Sequence, residues 1–248
     1  MSEFKLKTLV LGMVQTNCYI IHHHEAKEAI VIDPADHAGK IEQYLKANDL
    51  VCSGILLTHG HFDHILAAWE LASITSAPIH AHEQEAELLA DPRMNASSQI
   101  RRECTLVPEV MLTDDQVLPL AGFTIRVIHT PGHTAGGVCY YFSGHGIMST
   151  DMIPAPERSG VRILAQSANT MDACGHGILF SGDTLFHESI GRTDLPTGDG
   201  ERLVASIRHK LLLLDDAVTV YPGHGQPTTI GYERENNIYL NGGWMNWS

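Results

Sequence analysis

The chain has 248 residues, 44% of them hydrophobic and 18% charged, which fits one large domain or two small ones with a proper core. A formal charge of −13 argues against a nucleic-acid backbone or an anionic membrane surface as the main partner. The five cysteines, Cys18, Cys52, Cys104, Cys139 and Cys174, are odd in number, widely spaced and without a C-x-x-C pair, so the pattern is no disulfide framework and points to a reducing, cytoplasmic setting.

In chain order, "KTLVLG", "CYIIHH" and "EAIVIDP" read as strands, with "HHHEAKE" as a turn that gives His22, His23 and His24 no role. Gln15, Thr16 and Asn17 interrupt the apolar N-terminal stretch and no small-residue cleavage site follows, so strands are expected there and not a signal peptide. "HAGKIEQYLKAND" places Ile41 and Leu45 four apart and predicts a surface helix. "SGILLTH" is a short apolar run, "ILAAWELASIT" resumes helical spacing, "APIHAH" reads as a strand and "EQEAELLA" as a helix. The second half continues with strands at "FTIRVIHTPGH", "GVCYYFS" and "GILFSGD", a helix at "GERLVASIRHKLLLL" and a last strand at "AVTVYPGH". Strands alternating with helices, several of them continuous apolar runs, predict an α/β fold with sheets covered by helices. No Pro-, Gly- or Ser-rich linker divides the chain, so one domain over residues 1–248 is expected. No apolar run reaches the length of a membrane span.

The segment "GHGIMSTD" at 144–151 echoes "GHGILFSGD" at 175–183, and the residues between show no periodicity, so 143–177 reads as an inserted loop. It carries Arg158 and Arg162, which could form a lid over a site or touch another subunit. Trp244 and Trp247 on the tail are expected to pack on the body.

The chemistry lies at the ends of strands. "ILL" at 55–57 runs into His59, His61, Asp63 and His64; "RVIHTPG" runs into His133, "GILFSG" into Asp183 and "VTVYPG" into His224. Ligands of α/β proteins gather outside the carboxyl ends of strands, so these groups are expected to converge. Five imidazoles and two carboxylates, with no thiolate, suit zinc, iron or manganese. Seven donors exceed one tetrahedral ion, whereas two ions sharing a carboxylate use them all. His59 and His61, two apart, can point the same way from an extended segment, and Asp63 and His64 on the next turn can face a second ion. Isolated core histidines, each hydrogen-bonded, would account for one such residue but not for the set.

"THGHFDH", "HTPGHTAGG", "FSGDTLF" and "YPGHG", in this order, resemble the signature of the metallo-β-lactamase-fold hydrolases. "ESIGRTDLPTGDGERLVASI" and "VYPGHGQPTTIGYERENN" are similar to the glyoxalase II-like (hydroxyacylglutathione hydrolase-like) branch. The resemblance implies a four-layer αββα sandwich with a two-metal site at one edge, zinc first among candidate metals and iron or manganese next. It implies that His59, His61 and His133 bind one ion, that Asp63, His64 and His224 bind the other, and that Asp183 bridges them. Asp151 stands in the echo of the Asp183 segment, but only Asp183 precedes "TLF". The oxygen-reducing flavodiiron relatives usually carry Glu where His61 stands, which favours hydrolysis.

The implied function is hydrolysis of a small thioester, S-lactoylglutathione being the leading substrate. Two cations would lower the pKa of a bridging water toward ~7 and so supply hydroxide. Asp63 is the candidate catalytic residue, orienting that hydroxide. A thiol of pKa about 8.5 can leave as thiolate without a dedicated acid. Alternatives on the same fold are a lactonase or other ester hydrolase, a mononuclear iron persulfide dioxygenase, and a non-catalytic metal- or nucleic-acid-binding module. Glyoxalase II carries a C-terminal helical extension with basic residues that grip glutathione. Here Arg234 is the sole basic residue after His224, so that clamp is missing or rebuilt elsewhere. Thr58 and Thr134 are candidates to hold ligand imidazoles, and Arg192 and Asp194 are expected to pair structurally, with His187 and Glu188 outside the catalytic set.

Overall fold

The computed structural model describes residues 4–143 and 176–241. Asp151, Cys174, Arg158, Arg162, Trp244, Trp247 and the echo at 144–151 therefore lie outside the described residues.

Two six-stranded sheets form the centre. The first runs in chain order through β1 (Phe4–Leu11), β2 (Thr16–His23), β3 (Glu28–Ile32), β4 (Val51–Leu56), β5 (Ile79–His82) and β6 (Val110–Leu112). Pairing is antiparallel from β1 to β3 and parallel from β3 to β6. Helices α1 (Ala38–Ala47), α2 (Phe62–Ile65), α3 (Ala68–Thr75) and α4 (Ala86–Ala90) occupy its crossovers. The second sheet is built from β7 (Val117–Leu120), β8 (Phe123–His129), β9 (Val138–Phe142), β10 (Ile178–Gly182), β13 (Thr219–Pro222) and β14 (Thr228–Thr229), with β10 and β13 parallel and the other pairs antiparallel. A two-stranded ribbon, β11 (Leu185–Phe186) with β12 (Ser189–Ile190), follows β10, and α5 (Gly200–His209) and α6 (Ile230–Asn236) complete the chain.

The continuous apolar runs are explained by burial of both sheet faces. In the first sheet, Cys18, Ile20, Val31 and Ile55 face the layer of α1 and α3, while the alternate residues Tyr19, Ile21, Ile30, Ile32 and Leu56 face the second sheet. Along the second sheet Val127, Tyr140 and Phe180 pack between the sheets, and Ile128, Cys139, Leu179 and Val220 pack against α5 and α6. The side-chain period of two thus sends every other residue into a different core, and three cores between four layers make the αββα sandwich. Ile41 and Leu45 are buried on α1 as their spacing predicts. α5 begins where the Asp199 side chain accepts the Arg202 N–H, and it buries Leu203 and Ile207, four apart.

Two expectations change. β2 ends at His23, as "CYIIHH" predicts, so the overlapping turn "HHHEAKE" begins only at His24; His22 is buried, and His23 stacks on Phe123 with ring centroids 4.0 Å apart. The strand extends because its register against β1 reaches Phe4. "EQEAELLA" divides into a 3-10 turn, Glu83–Glu85, and the short α4.

Candidate metal centre

All strands that carry donors end at one edge of the sandwich. β4 delivers His59, and the chain then turns into α2 with His61 at its N-cap and Asp63 and His64 in its single turn. In the second sheet β8 leads to His133, β10 to Asp183 and β13 to His224. Close approach requires glycine at two turns. A Cβ on Gly223 would lie 2.3 Å from Asp183 Oδ1 and 2.6 Å from His64 Cε1. Gly132, at φ +136°, faces the Leu203 backbone nitrogen at 2.2 Å from such a Cβ.

The structure brings all seven sequence-predicted donors together. His59, His61 and His133 form one group, Asp63, His64 and His224 another, and His59, His64 and Asp183 a third that joins them; within each, the donor atoms lie within 4.8 Å of one another. His133 Nε2 is 2.9 Å from His61 Nδ1 and 3.2 Å from His59 Nε2. Asp183 reaches both groups, at 3.7 Å from His133 Nε2, 3.4 Å from His64 Nε2 and 3.5 Å from His224 Nε2.

These residues fit divalent cations. Three imidazole nitrogens aimed at one point repel one another unless an electrophile lies between them, and a cation meets that need better than any shared proton. His64 Nε2 and Asp183 Oδ1 are buried and make no sound hydrogen bond, a cost of about 1–3 kcal/mol each if nothing else satisfies them. Five nitrogen and two oxygen donors match zinc, iron or manganese.

Electrostatics divide the donors into unlike halves. Burial, then the neighbouring imidazoles His64 and His133, holds His59 well below the usual histidine range, and burial with His133 depresses His61 to about 3. His133 is lowered by burial as well, against the pull of Asp183 and the Arg192 carbonyl. In the other half burial opposes the charge on His64, but Asp63, Asp183 and Asp33 outweigh it and raise its pKa well above the usual range. Burial likewise opposes charge on His224, which Asp183 and Asp63 nonetheless raise to about 9. Burial would raise Asp63, yet His64 and His224 bring it down to about 2.

Residues that the sequence reading did not single out hold the donors in place. Asp33, at the end of β3, accepts from the Thr58 N–H at 2.8 Å and the Thr58 hydroxyl at 2.6 Å, and its Oδ2 lies 2.9 Å from His64 Nδ1. Its signal was the same as that of the ligands, an apolar run ending in a carboxylate. Thr16 donates to Asp63 Oδ2 at 3.0 Å. Asn17 and Tyr19 bind the Pro222 carbonyl, which fixes the His224 loop. Glu85 is buried and joins two ligand loops: it accepts the Gly60 N–H on one oxygen and the Thr134 hydroxyl and Gly136 N–H on the other. Burial raises its carboxyl to about 7 against those three donors.

The threonine expectations divide. Thr58 Oγ1 lies 3.1 Å from His59 Nδ1, as anticipated. Thr134 instead bonds Glu85, and His133 Nδ1 lies 2.7 Å from the Arg192 carbonyl, because the β12 end crosses behind that ring. Arg192 and Asp194 form a two-pronged pair at 2.7 and 2.6 Å. His187 stacks on Tyr232, whose hydroxyl bonds Glu188, so neither joins the donor set.

Comparison with known proteins agrees with this architecture. The Metallo-beta-lactamase superfamily profile matches residues 11–158, and the chain belongs to that superfamily. Hydroxyacylglutathione hydrolase GloC of Haemophilus influenzae is 32% identical over 230 residues, covering 92% of this chain and 93% of the relative. The crystal structure of the BLEG-1 B3 metallo-beta-lactamase superposes with a TM-score of 0.78 at 37% identity, over 96% of this chain and all of that one (100%). The di-iron-bound form of TTHA1623 gives a TM-score of 0.72 at 29% identity, over 94% and 100% of the two chains. Homology and the His/Asp cluster together make this a metallo-hydrolase of the superfamily. Among the described residues no helix is long and apolar enough to cross a membrane.

Proposed function

We propose that the protein is a dinuclear metal-dependent hydrolase of a small thioester, with an S-lactoylglutathione-like compound as substrate. His59, His61 and His133 would hold one ion, Asp63, His64 and His224 the other, and Asp183 would lie between them. The observation that carries the reading is the convergence of seven nitrogen and oxygen donors in overlapping groups, with His61 Nδ1 and His59 Nε2 only 2.9 and 3.2 Å from His133 Nε2. Two divalent cations, zinc first and iron or manganese next, would supply a nucleophile at neutral pH and polarise a carbonyl.

The chain's own residues do the rest. Asp63, anchored through Oδ2 by Thr16 and His224, would orient the attacking water by accepting its proton in a hydrogen bond. Asp33 and the Arg192 carbonyl fix the tautomers of His64 and His133 by taking their outer ring nitrogens. A thiol leaving group of pKa about 8.5 departs without a protein acid. The 32% identity to a hydroxyacylglutathione hydrolase supports the thioester. The likeness at 37% identity to a protein described as a B3 metallo-beta-lactamase supports β-lactams as the second substrate class to assay. Four described cysteines without disulfides accord with a reducing, cytoplasmic setting.

The test is hydrolysis of S-lactoylglutathione by the purified protein before and after chelation, with zinc, iron and manganese restored singly. The expected outcome is turnover that chelation abolishes and a restored metal recovers. Turnover of a chromogenic β-lactam in its place would shift the substrate class. One bound iron with oxygen uptake on a persulfide would replace hydrolysis by oxygenation.

A further inference from the structure

Beside Asp63 lies a pocket that the ligand chemistry leaves unused. Met13 and Val14, on the turn between β1 and β2, line it together with Phe62, Leu66 and Ile100. Met13 is 74% and Val14 46% exposed, so folding gains little from placing them there. The surface is apolar, next to the candidate nucleophile's position, and ends at a single cation among its lining residues, Arg102.

Arg102 is prepared for an anion. Its Nη1 donates to Asp36 Oδ1 at 2.8 Å, and the same oxygen accepts the His37 N–H at 2.8 Å. Partial burial works against the charge of Asp36, but Arg102 and the His37 N–H outweigh it and hold the carboxyl below its usual range. Asp36 therefore anchors the guanidinium as a fixed ion. A guanidinium carries five N–H donors, and Nη1 is the one that makes a hydrogen bond among the described residues. The remaining fork has the shape that binds a carboxylate through two parallel bonds.

We propose that this pocket seats the non-reacting part of the substrate and that Arg102 binds a carboxylate on it, in place of a basic C-terminal clamp. The inference rests on the thioester-hydrolase reading and makes it narrower: the preferred substrate is a thioester with an apolar segment and a terminal carboxylate. That carboxylate can belong to the thiol or to the acyl group, and the two sources are separable by experiment.

Steady-state kinetics of the metal-loaded wild type, Arg102→Met and Arg102→Lys would be compared on three thioesters. S-lactoylglutathione carries its carboxylates on the thiol, S-succinyl-N-acetylcysteamine carries one on the acyl group, and S-lactoyl-N-acetylcysteamine carries none. Arg102→Met is expected to raise KM by about ten- to a hundredfold for whichever charged compound uses the fork. Its kcat should stay within about twofold, and the neutral compound should be unaffected, because Arg102 touches no reacting atom. Arg102→Lys keeps the charge and loses the fork, and should fall between. Equal losses on all three thioesters, or none, would overturn the proposal while leaving hydrolysis itself standing. Calorimetric binding of S-methylglutathione, which cannot turn over, keeps the two readings apart. Tight binding to the wild type and at least tenfold weaker binding to Arg102→Met supports the pocket with a thiol-borne carboxylate even if no thioester is hydrolysed; equal binding or none refutes that source, and together with an unchanged KM for S-succinyl-N-acetylcysteamine it refutes the pocket.

Discussion

The two halves of the donor cluster are made differently. His59, His61 and His133 are all nitrogen, all buried, and all pushed by burial toward the neutral state in which a metal takes them. Asp63, His64 and His224 join one carboxylate to two imidazoles whose pKa values it raises together with Asp183 and, at His64, Asp33, and the Asp63 and His224 side chains are 15% and 26% exposed. The first half is ready for a cation with no proton to lose. The second is a compact salt bridge that a cation must displace, at the cost of the protons on His64 and His224. The same fold thus produces one site set by desolvation and one set by charge, and the two should respond to perturbation in different ways.

The largest effect is expected from breaking the link between the halves. Asp183→Asn should lower the metal content and reduce kcat/KM by at least about 10³-fold, since it removes the one carboxylate that reaches both groups; elemental analysis beside steady-state kinetics checks this. Acid should separate the halves. Each proton that must leave costs about a tenfold loss of affinity per pH unit below its pKa, so the second equivalent of metal should weaken from about pH 9 downward, His224 having its pKa near 9. The first equivalent, with His61 near 3, should stay insensitive over the same range. Competition with a chelator at several pH values measures both. Asp33→Asn, which disturbs the outer nitrogen of His64 directly and reaches His59 only through Thr58, should cost about 10–100-fold in affinity for the second equivalent and less for the first.

The smallest effect is structural. Glu85→Gln would place an amide NH2 against the Thr134 hydroxyl and the Gly136 N–H, and should cost about 1–3 kcal/mol of stability. The carboxyl of Glu85 is raised in the fold from 4.5 to about 7. The folded protein therefore holds its proton more tightly than the unfolded chain, and the contribution is complete below the unfolded pKa and lost as pH rises through about 7. In denaturant titrations of the metal-free protein the stability difference between wild type and Glu85→Gln should shrink in favour of the variant between pH 5 and pH 8, the histidine contributions being common to both.

Most of the site was legible because its grammar is local: an apolar run fully buried between layers, then a glycine, then a donor. "ILLTHGH", "LFSGD" and "VYPGH" each carry that grammar within a few residues. Asp33, in "IVIDP", shares the apolar run and the donor but not the glycine, so the pattern does not single it out. Glu85 could not be found this way. Its partners Gly60, Thr134 and Gly136 come from distant segments, and a glutamate in "EQEAELLA" looks like any solvated helix residue until the fold buries it. The short strands β6, β7 and β14 and the helix α6 were also missed, since two to seven residues carry too little periodicity and are held by pairing and packing rather than by their own pattern. Thr134 was assigned to the wrong neighbour for a related reason: adjacency in sequence put it beside His133, whereas the turn rotates its hydroxyl toward Glu85.

The most direct measurement is a calorimetric titration of zinc into the metal-free protein at pH 7.5, repeated in two buffers of different ionisation enthalpy. Two equivalents per chain are expected, the tighter one releasing no proton and the weaker one releasing up to about three, as His64, His224 and the water between the ions surrender theirs. A single equivalent, or two that release protons alike, would contradict a centre built from one desolvated and one charge-held half.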